Sequence, residues 1–415
     1  MHQLTNVVAL RPPQEAGDEG IDRVLRALRT HLDMDVAFVS RFREKDRVFT
    51  HVDARAVAPL KPGDVLPLEA GYCKKVVDGL LPELIPNTAQ VPLAMSIPET
   101  RALPIGAHLS VPVLLSDGQV YGTLCCFSAQ ADATLGQRDL GMLKVFAELI
   151  ADRLEMDQHA KEERLRKHRI ICAALAQAQP NVVYQPIVSL GDGTIAGWEA
   201  LSRFSSQPKR SPDLWFQEAA EAGLGLEMEV RALEKALEGL GQLPASQYLT
   251  LNCSPGLFMS GRLAKVISGH DPGRLVLELT EHCVVTDYDA LINALAPYRA
   301  AGVRLAIDDA GAGYASMRHI LQLRPDIIKL DMALTQGIEN DAQRRAMASA
   351  LIAFARETGT SVVAEGVETT ADLLTLRRLG AHRVQGYLTG RPMPLVLAAN
   401  WQVPRLAELF EPPPG

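Results

Sequence analysis

The chain has no run of apolar residues close to the roughly 18 that a membrane-spanning helix needs. Its first residues, MHQLTNVVALRPPQ, show no basic stretch leading into a long apolar segment. Positive charge is also in short supply, since 42 Lys and Arg stand against 49 Asp and Glu for a formal net charge of -7. No basic stretch interleaved with aromatics offsets that balance and there is no helix-turn-helix signature, which argues against a nucleic-acid binder. Cysteine is scarce: Cys73, Cys125, Cys126, Cys172, Cys253 and Cys283 are the whole complement and form no C-x-x-C pair. They are expected to be reduced core thiols in a soluble, cytoplasmic protein. Apolar residues, by contrast, make up 47% of the 415 residues, enough for two or three separate cores.

Residues 1–17, with Pro12, Pro13 and a Gly/Asp/Glu cluster, lack periodicity and read as a mobile lead-in. An α+β module is expected over 18–155. Ile21, Val24, Leu25, Leu28 and Leu32 recur at helical spacing, 36–39 and 48–52 read as strands, and 108–115 with 120–127 read as a hairpin about Asp117-Gly118. Thr134, with Gln137 three residues on, predicts a capping box that opens a helix through Leu140, Leu143, Phe146, Leu149 and Ile150. That helix is expected to continue through a charge-rich linker, 156–178. Its mixed charge fits a solvated helical face, or a signalling helix that pairs with its copy in a dimer.

From 179 to 405 the pattern becomes strand and helix in alternation, with 406–415 left as a tail. The runs at 182–188, 195–200, 248–252, 275–279, 303–308, 326–330, 361–364 and 383–387 are candidate strands. Helical segments separate most of them, one opening at Ser211-Pro212-Asp213. Eight strands over this length fit a (β/α)8, TIM-like barrel better than an open sheet. Residues 190–194 are too few for a helical crossover, so the first two strands should pair antiparallel, a departure from the standard barrel.

Seven of these runs stop at a polar or ionisable residue: Glu199, Asn252, Glu278, Asp308, Lys329, Glu365 and Gln385. In a barrel of parallel strands the C-terminal strand ends converge on one mouth, where active sites sit. Several carboxylates and an amide oxygen gathered there would repel one another unless cations filled the space, and hard divalent ions such as Mg2+ choose such oxygen ligands. Asp308 and Asp309 are adjacent, which raises the cost of ionising both unless a metal neutralises them. Two ions roughly 3.5 to 4 Å apart are a known arrangement for in-line attack on a phosphodiester. Gly311-Ala-Gly313 lacks the third glycine of a dinucleotide fingerprint and suits a flexible active-site loop better. The lysine of Lys329-Leu-Asp331 has the charge to orient water or to stabilise a developing phosphoryl charge.

The residues around these positions resemble a known family. Glu199-Ala200-Leu201 within WEALSRF, preceded by Tyr184-Gln185-Pro186-Ile187, is similar to the signature of the EAL family of cyclic di-GMP phosphodiesterases. The similarity continues through Asn252-Cys-Ser254, Glu278-Leu-Thr-Glu281, Asp308-Asp309, Lys329-Leu-Asp331, Glu365-Gly-Val-Glu368 and Gln385-Gly-Tyr387. It implies a barrel that hydrolyses cyclic di-GMP to linear pGpG with two Mg2+ or Mn2+ ions. By the same resemblance, Glu199, Asn252, Glu278 and Asp308 bind one metal. Asp308 bridges to a second that Asp309 also binds, with Glu365 acting directly or through water. Lys329 holds the nucleophilic water, Gln185, Leu201, Arg203 and Gln385 contact substrate, and Glu281, Asp331 and Glu368 are supporting residues. Two departures are Ala310, where many members carry phenylalanine, and Phe204, often tryptophan.

The amino-terminal module is similar to a GAF domain, by its element order and the stretch 111–127. That implies a sensor of a small molecule or of light, or a dimerising module, and the protein is expected to be a homodimer with a small-molecule effector. The surroundings of Cys73 in Gly71-Tyr-Cys-Lys-Lys75 do not resemble a chromophore-attachment site, and a packed helix thiol is expected there. The alternative function is a catalytically silent EAL protein that binds cyclic di-GMP or docks a partner. No Gly-Gly-Asp/Glu-Glu-Phe motif suggests cyclase activity.

Overall fold

The computed structural model describes residues 17–56, 60–279, 285–311 and 314–403. The expected lead-in apart from Gly17, the residues Glu281 and Cys283, and the expected tail lie outside them. The chain divides into two compact units between Glu163 and Arg164.

The first unit is built on six strands: β1 (Val36–Phe42), β2 (Asp46–Ala54), β3 (Val65–Pro67), β4 (Leu84–Ile85), β5 (Ala107–Leu114) and β6 (Val120–Ser128). They form one antiparallel sheet in the order β3-β2-β1-β6-β5-β4. The β5–β6 turn carries the expected chemistry, with Gly118 at φ 82° and Gln119 N donating to Asp117 Oδ1 at 2.9 Å. Side chains alternate across the sheet, so both faces are apolar but their coverings differ. Leu109, Leu124 and Cys126 pack with Leu25 and Leu28 of the helix Gly17–His31 and with Leu140, Leu143 and Ile150 of the helix Gln137–Ala176. Phe38, Cys125 and Phe127 pack on the other face with Tyr72, Cys73 and Val76 of the short helix Tyr72–Val77.

Thr134 does not cap the long helix, which begins at Gln137. Its N and Oγ1 donate to Asp132 Oδ1 at 2.8 and 2.6 Å, because an aspartate two residues back closes a local turn first. Gly136 N instead donates to Asp139 Oδ2 at 2.9 Å.

The second unit is a closed barrel of β7 (Asn181–Ser189), β8 (Ile195–Arg203), β9 (Tyr248–Asn252), β10 (Leu275–Leu279), β11 (Arg304–Ala310), β12 (Ile327–Leu330), β13 (Ser361–Ala364) and β14 (Arg383–Val384). The expected antiparallel departure is present: β7 runs against both its neighbours, β8 and β14, while the other pairings are parallel. The last strand is shorter than 383–387. After Val384 the chain turns at Gly386, where a Cβ would lie 2.1 Å from the Val367 carbonyl oxygen.

Alternation within the strands sorts the barrel into a core outside and a plug inside. Leu275, Leu277, Leu305, Ile307, Ile328, Leu330, Val362 and Ala364 face the surrounding helices. Ile187, Tyr248, Val276, Ala306, Ile327 and Val363 meet inside. Ser211 sits at the N-cap of the expected helix Pro212–Glu221, though its side chain makes no capping bond. Trp215 of that helix is fully buried against Ile171 and Ala174, with Phe204 stacked on its ring at 4.9 Å.

Gly197 pairs with Tyr248, and a Cβ on Gly197 would lie 2.5 Å from Tyr248 Cε2. The ring has little room to yield because the Arg304 and Arg383 guanidinium carbons lie 4.5 and 5.5 Å from its centroid. Gly197→Ala should therefore destabilise the protein by about 1–3 kcal/mol through overpacking. Gly241→Ala, where nothing lies within 4 Å of the added carbon, should leave stability nearly unchanged. Thermal or urea unfolding of the two variants against the parent distinguishes these outcomes.

Candidate active site

Two residues beyond the apolar plug, the same inward register that places Val276, Ala306, Ile327 and Val363 in the interior brings Glu278, Asp308, Lys329 and Glu365 to one level. Asn252 lies opposite Glu278 across β9 and β10, and Glu199 opposite Thr250 across β8 and β9. Residues spread over more than 160 positions of sequence thereby meet.

Lys329 is at the centre, only 1% exposed. Its Nζ lies 2.7 Å from Glu365 Oε1, 3.2 Å from Glu278 Oε2, 3.2 Å from Asp308 Oδ1 and 3.4 Å from Glu199 Oε2. Burial alone would lower the lysine pKa, but Asp308, Glu199, Glu278 and Glu365 together hold it well above its ordinary value. One ammonium faces four carboxylates, of which those of Glu199, Glu278 and Asp308 are buried and that of Glu365 is partly so. Burial pushes the Glu278, Glu365 and Asp308 carboxyls up, repulsion from neighbouring carboxylates adds to it, and Lys329 returns only part of the shift. Glu199 alone goes down: burial opposes ionisation there too, but Lys329, Gln385 and Asn252 all favour the anion. Gln385 Nε2 donates to Glu199 Oε2 at 2.5 Å, and Asn252 Nδ2 donates to Oε1 at 3.3 Å.

Asp309 reaches the same mouth by a backbone device. Strict alternation would turn it away from Asp308, but β11 shifts register against β12 between Ile307 and Ala310, and Asp309 takes φ 57°. Its N donates to Asp308 Oδ1 at 3.0 Å. Aspartate is among the few non-glycine residues that tolerate this left-handed region. Ala310 is fully buried, pairs with Leu330 and packs in the core between strands and helices.

Among the described residues, two sets of carboxylate oxygens lie within 4.8 Å of one another: Glu199, Glu278 and Asp308, and Asp308, Asp309 and Glu365. Asp308 belongs to both. Glu278 Oε1 is buried without a hydrogen-bond partner, as is Gln385 Oε1. An all-oxygen donor set, an excess of buried negative charge and an orphaned carboxylate oxygen fit a hard divalent cation.

A cavity of about 500 Å³ opens beside this layer, lined by Glu199, Leu201, Arg203, Phe216, Asn252, Asp308 and Asp309 among others. Leu201 and Arg203 face it, and Arg203 is exposed. Gln185 and Gln385 are instead buried beneath: Gln385 Nε2 donates to Gln185 Oε1 at 3.1 Å, and Gln185 Nε2 to the Gly390 carbonyl at 3.1 Å. Asp331 caps the helix Met332–Thr335 by accepting from Ala333 N at 2.7 Å. Glu368 is exposed and outside both carboxylate sets. Glu281 lies outside the described residues.

Sequence reasoning missed Glu229. It lines the cavity from the helix Gly225–Leu237, and its carboxylate accepts from Ser254 N at 3.1 Å. Burial raises its pKa. Nothing in its neighbours, Met228 and Val230, marks it as different from any other helical glutamate.

Among known proteins, an uncharacterized signaling protein of Caulobacter vibrioides is 30% identical over 319 residues, covering 74% of this chain and 38% of that protein. The bifunctional diguanylate cyclase/cyclic di-GMP phosphodiesterase MucR of Pseudomonas aeruginosa is 32% identical over 246 residues, 56% of this chain and 36% of its own. The probable cyclic di-GMP phosphodiesterase PdeD of Escherichia coli is 33% identical over 248 residues, 57% of this chain and 46% of its own. The chain thus spans less than half the length of these relatives. Among solved structures, the PaMucR phosphodiesterase in complex with c-di-GMP is similar with a TM-score of 0.50 at 32% identity, over 55% of this chain and 98% of that one. The family model described as a GAF domain matches residues 18–155. The one described as an EAL domain matches 168–392, more than half of the chain, and the protein belongs to the EAL family.

Proposed function

We propose that the barrel is a metal-dependent phosphodiesterase that hydrolyses cyclic di-GMP to linear pGpG. The observation that carries this reading is Lys329 held among four carboxylates that form two oxygen sets sharing Asp308. The names of the relatives support the substrate. In this reading Glu199, Asn252, Glu278 and Asp308 hold one Mg2+ or Mn2+, and Asp308, Asp309 and Glu365 hold a second. Such ions supply charge that polarises a phosphoryl oxygen and lowers the pKa of water.

The remaining work falls to the chain itself. Lys329 orients the attacking water and donates toward the charge that develops on the phosphoryl group. Arg203, exposed at the cavity, takes a phosphate oxygen through its guanidinium, and Leu201 supplies an apolar wall. Gln385 fixes the Glu199 carboxylate, Gln185 fixes Gln385, and both contact the substrate from beneath. Asp331, Glu281 and Glu368 support the surrounding loops. The GAF unit is the sensor, with a small-molecule effector, and the working form is a homodimer.

The test is chromatography of cyclic di-GMP after incubation with the purified protein and Mg2+ or Mn2+. Metal-dependent pGpG should form, and EDTA or Glu199→Ala should abolish it. No product in any metal would overturn the enzymatic reading, and tight binding without turnover would favour a receptor.

Lys329→Ala should retain much of the substrate binding but lose turnover by roughly 10²-fold or more. Without metal it should also be less stable by about 3–5 kcal/mol, because the buried Glu199 carboxylate loses its counter-ion, and divalent ion should recover part of that loss. Turnover assays with unfolding in EDTA and in Mn2+ measure both effects.

Carboxyls with raised pKa hold their protons to higher pH, and an entering cation competes with those protons. Metal affinity should therefore rise with pH as Glu278, Glu365 and Asp308 deprotonate. Calorimetric titration with Mn2+ in two buffers of different ionisation enthalpy should register proton release. A heat independent of buffer would contradict the protonated resting site.

A further inference from the structure

The first unit contains a buried polar cluster that the barrel chemistry does not use. On the sheet face packed with Phe38, Phe49 and Phe127, Arg47 is only 1% exposed. Its Nη1 donates to Cys73 Sγ at 2.7 Å, and its Nη2 pairs with Glu99. Cys73 Sγ lies 3.7 Å from Cys125 Sγ. Around Cys125, Ser110 Oγ lies at 3.0 Å and Thr123 Oγ1 at 3.2 Å. The other titratable groups facing the pair are Tyr72, bonded to Thr100 Oγ1 at 2.6 Å, and His108, whose ring centroid is 4.4 Å from that of Tyr72.

A small cavity of about 10 Å³ adjoins Cys73, lined by Arg47, Tyr72, Glu99 and His108 among others. That is at most the room of a single water molecule. Arg47 Nε and His108 Nδ1 are buried there without hydrogen-bond partners. Arg47 thus serves both Glu99 and Cys73, and a cation beside a thiol favours its thiolate.

We propose that Cys73 and Cys125 form an oxidisable dithiol at which a hydroperoxide is reduced and an internal disulfide is made. The Cys73 thiolate attacks one peroxide oxygen, forming an S–O bond as the O–O bond breaks. The departing oxygen leaves as hydroxide and takes up a proton to become water. Cys125 then attacks the sulfenic sulfur. The S–S bond forms, the S–O bond breaks, and the hydroxyl leaves with the Cys125 proton as water. The two sulfurs lose two electrons and the peroxide gains them. The sulfurs close from 3.7 Å to about 2.05 Å.

The electrostatics agree with the order of attack. Burial alone would raise the Cys73 pKa, but the hydrogen bond from Cys125 and the charge of Arg47 bring it down to about 6. Burial pushes Cys125 up, leaving it the proton-bearing partner. Cys126, one residue on, faces the opposite side of the sheet, and its pKa is also raised by burial.

The experiment exposes reduced full-length protein to hydrogen peroxide, blocks remaining thiols with N-ethylmaleimide under denaturing conditions, and maps peptides by mass spectrometry. A link between Cys73 and Cys125, reversed by dithiothreitol, is expected, with Cys126 and Cys253 still alkylated. Cys73 should be consumed on the order of tenfold faster than Cys253, since its thiolate is already populated at neutral pH. Cys126→Ser should keep the link, and Cys125→Ser should leave a sulfenic acid on Cys73 that dimedone traps. Fragment ions from the parent protein separate Cys125 from Cys126 even where a variant does not fold. Recovery of both Cys73 and Cys125 as maleimide adducts, under peroxide that oxidises exposed Cys172, would overturn the proposal, as would a link through Cys126. Absorbance at 240 nm against pH gives an independent readout, with a thiolate step near 6 that disappears in Cys73→Ser.

Discussion

The buried ammonium of Lys329 is the constraint around which the barrel is arranged. A charge taken out of water costs several kcal/mol unless it is paired and bonded, and Lys329 is surrounded by four carboxylates that meet that need in excess. The excess is itself informative. A site selected for stability alone would match one ammonium with one carboxylate, or with none. Four carboxylates, three of them driven toward protonation, describe a site balanced only when further positive charge is present.

The barrel makes this concentration of charge tolerable by layering. The interior plug of Ile187, Tyr248, Val276, Ala306, Ile327 and Val363 is largely apolar, so the charged level rests on an apolar floor. Above that floor, the buried amide of Gln385 and the exposed amide of Asn252 hold Glu199, and Gln185 holds Gln385. The single irregularity described at this level, the register shift and positive φ at Asp309, is what lets two consecutive aspartates serve one mouth.

In the first unit the same two-residue period has a different consequence. Cys125 and Cys126 are adjacent, yet one joins the cluster with Arg47 and Cys73 while the other packs among leucines. Both thiols are fully buried. What separates them chemically is the sheet face on which each emerges and the guanidinium waiting on one of those faces.

Much of this was legible in the chain itself. Short apolar runs ending at Glu199, Asn252, Glu278, Asp308, Lys329, Glu365 and Gln385 announce a barrel mouth, because strand period and strand-end convergence are local rules that need no knowledge of distant packing. The five residues 190–194 likewise determined the reversed strand, since no helix fits that span. Other features had no local signature. Glu229 joins the cavity only because its helix packs against Ser254, and the capping of the long helix went to Asp139 because Asp132 captured Thr134 first. The meeting of Cys73 with Arg47 and Cys125 required three separate elements to converge on one sheet face. Sequence determined which residues alternate and where each strand ends, for those depend on neighbours in the chain. The tertiary structure alone decided which buried charges and thiols would touch, because such contacts arise from closing loops of tens of residues around a common core.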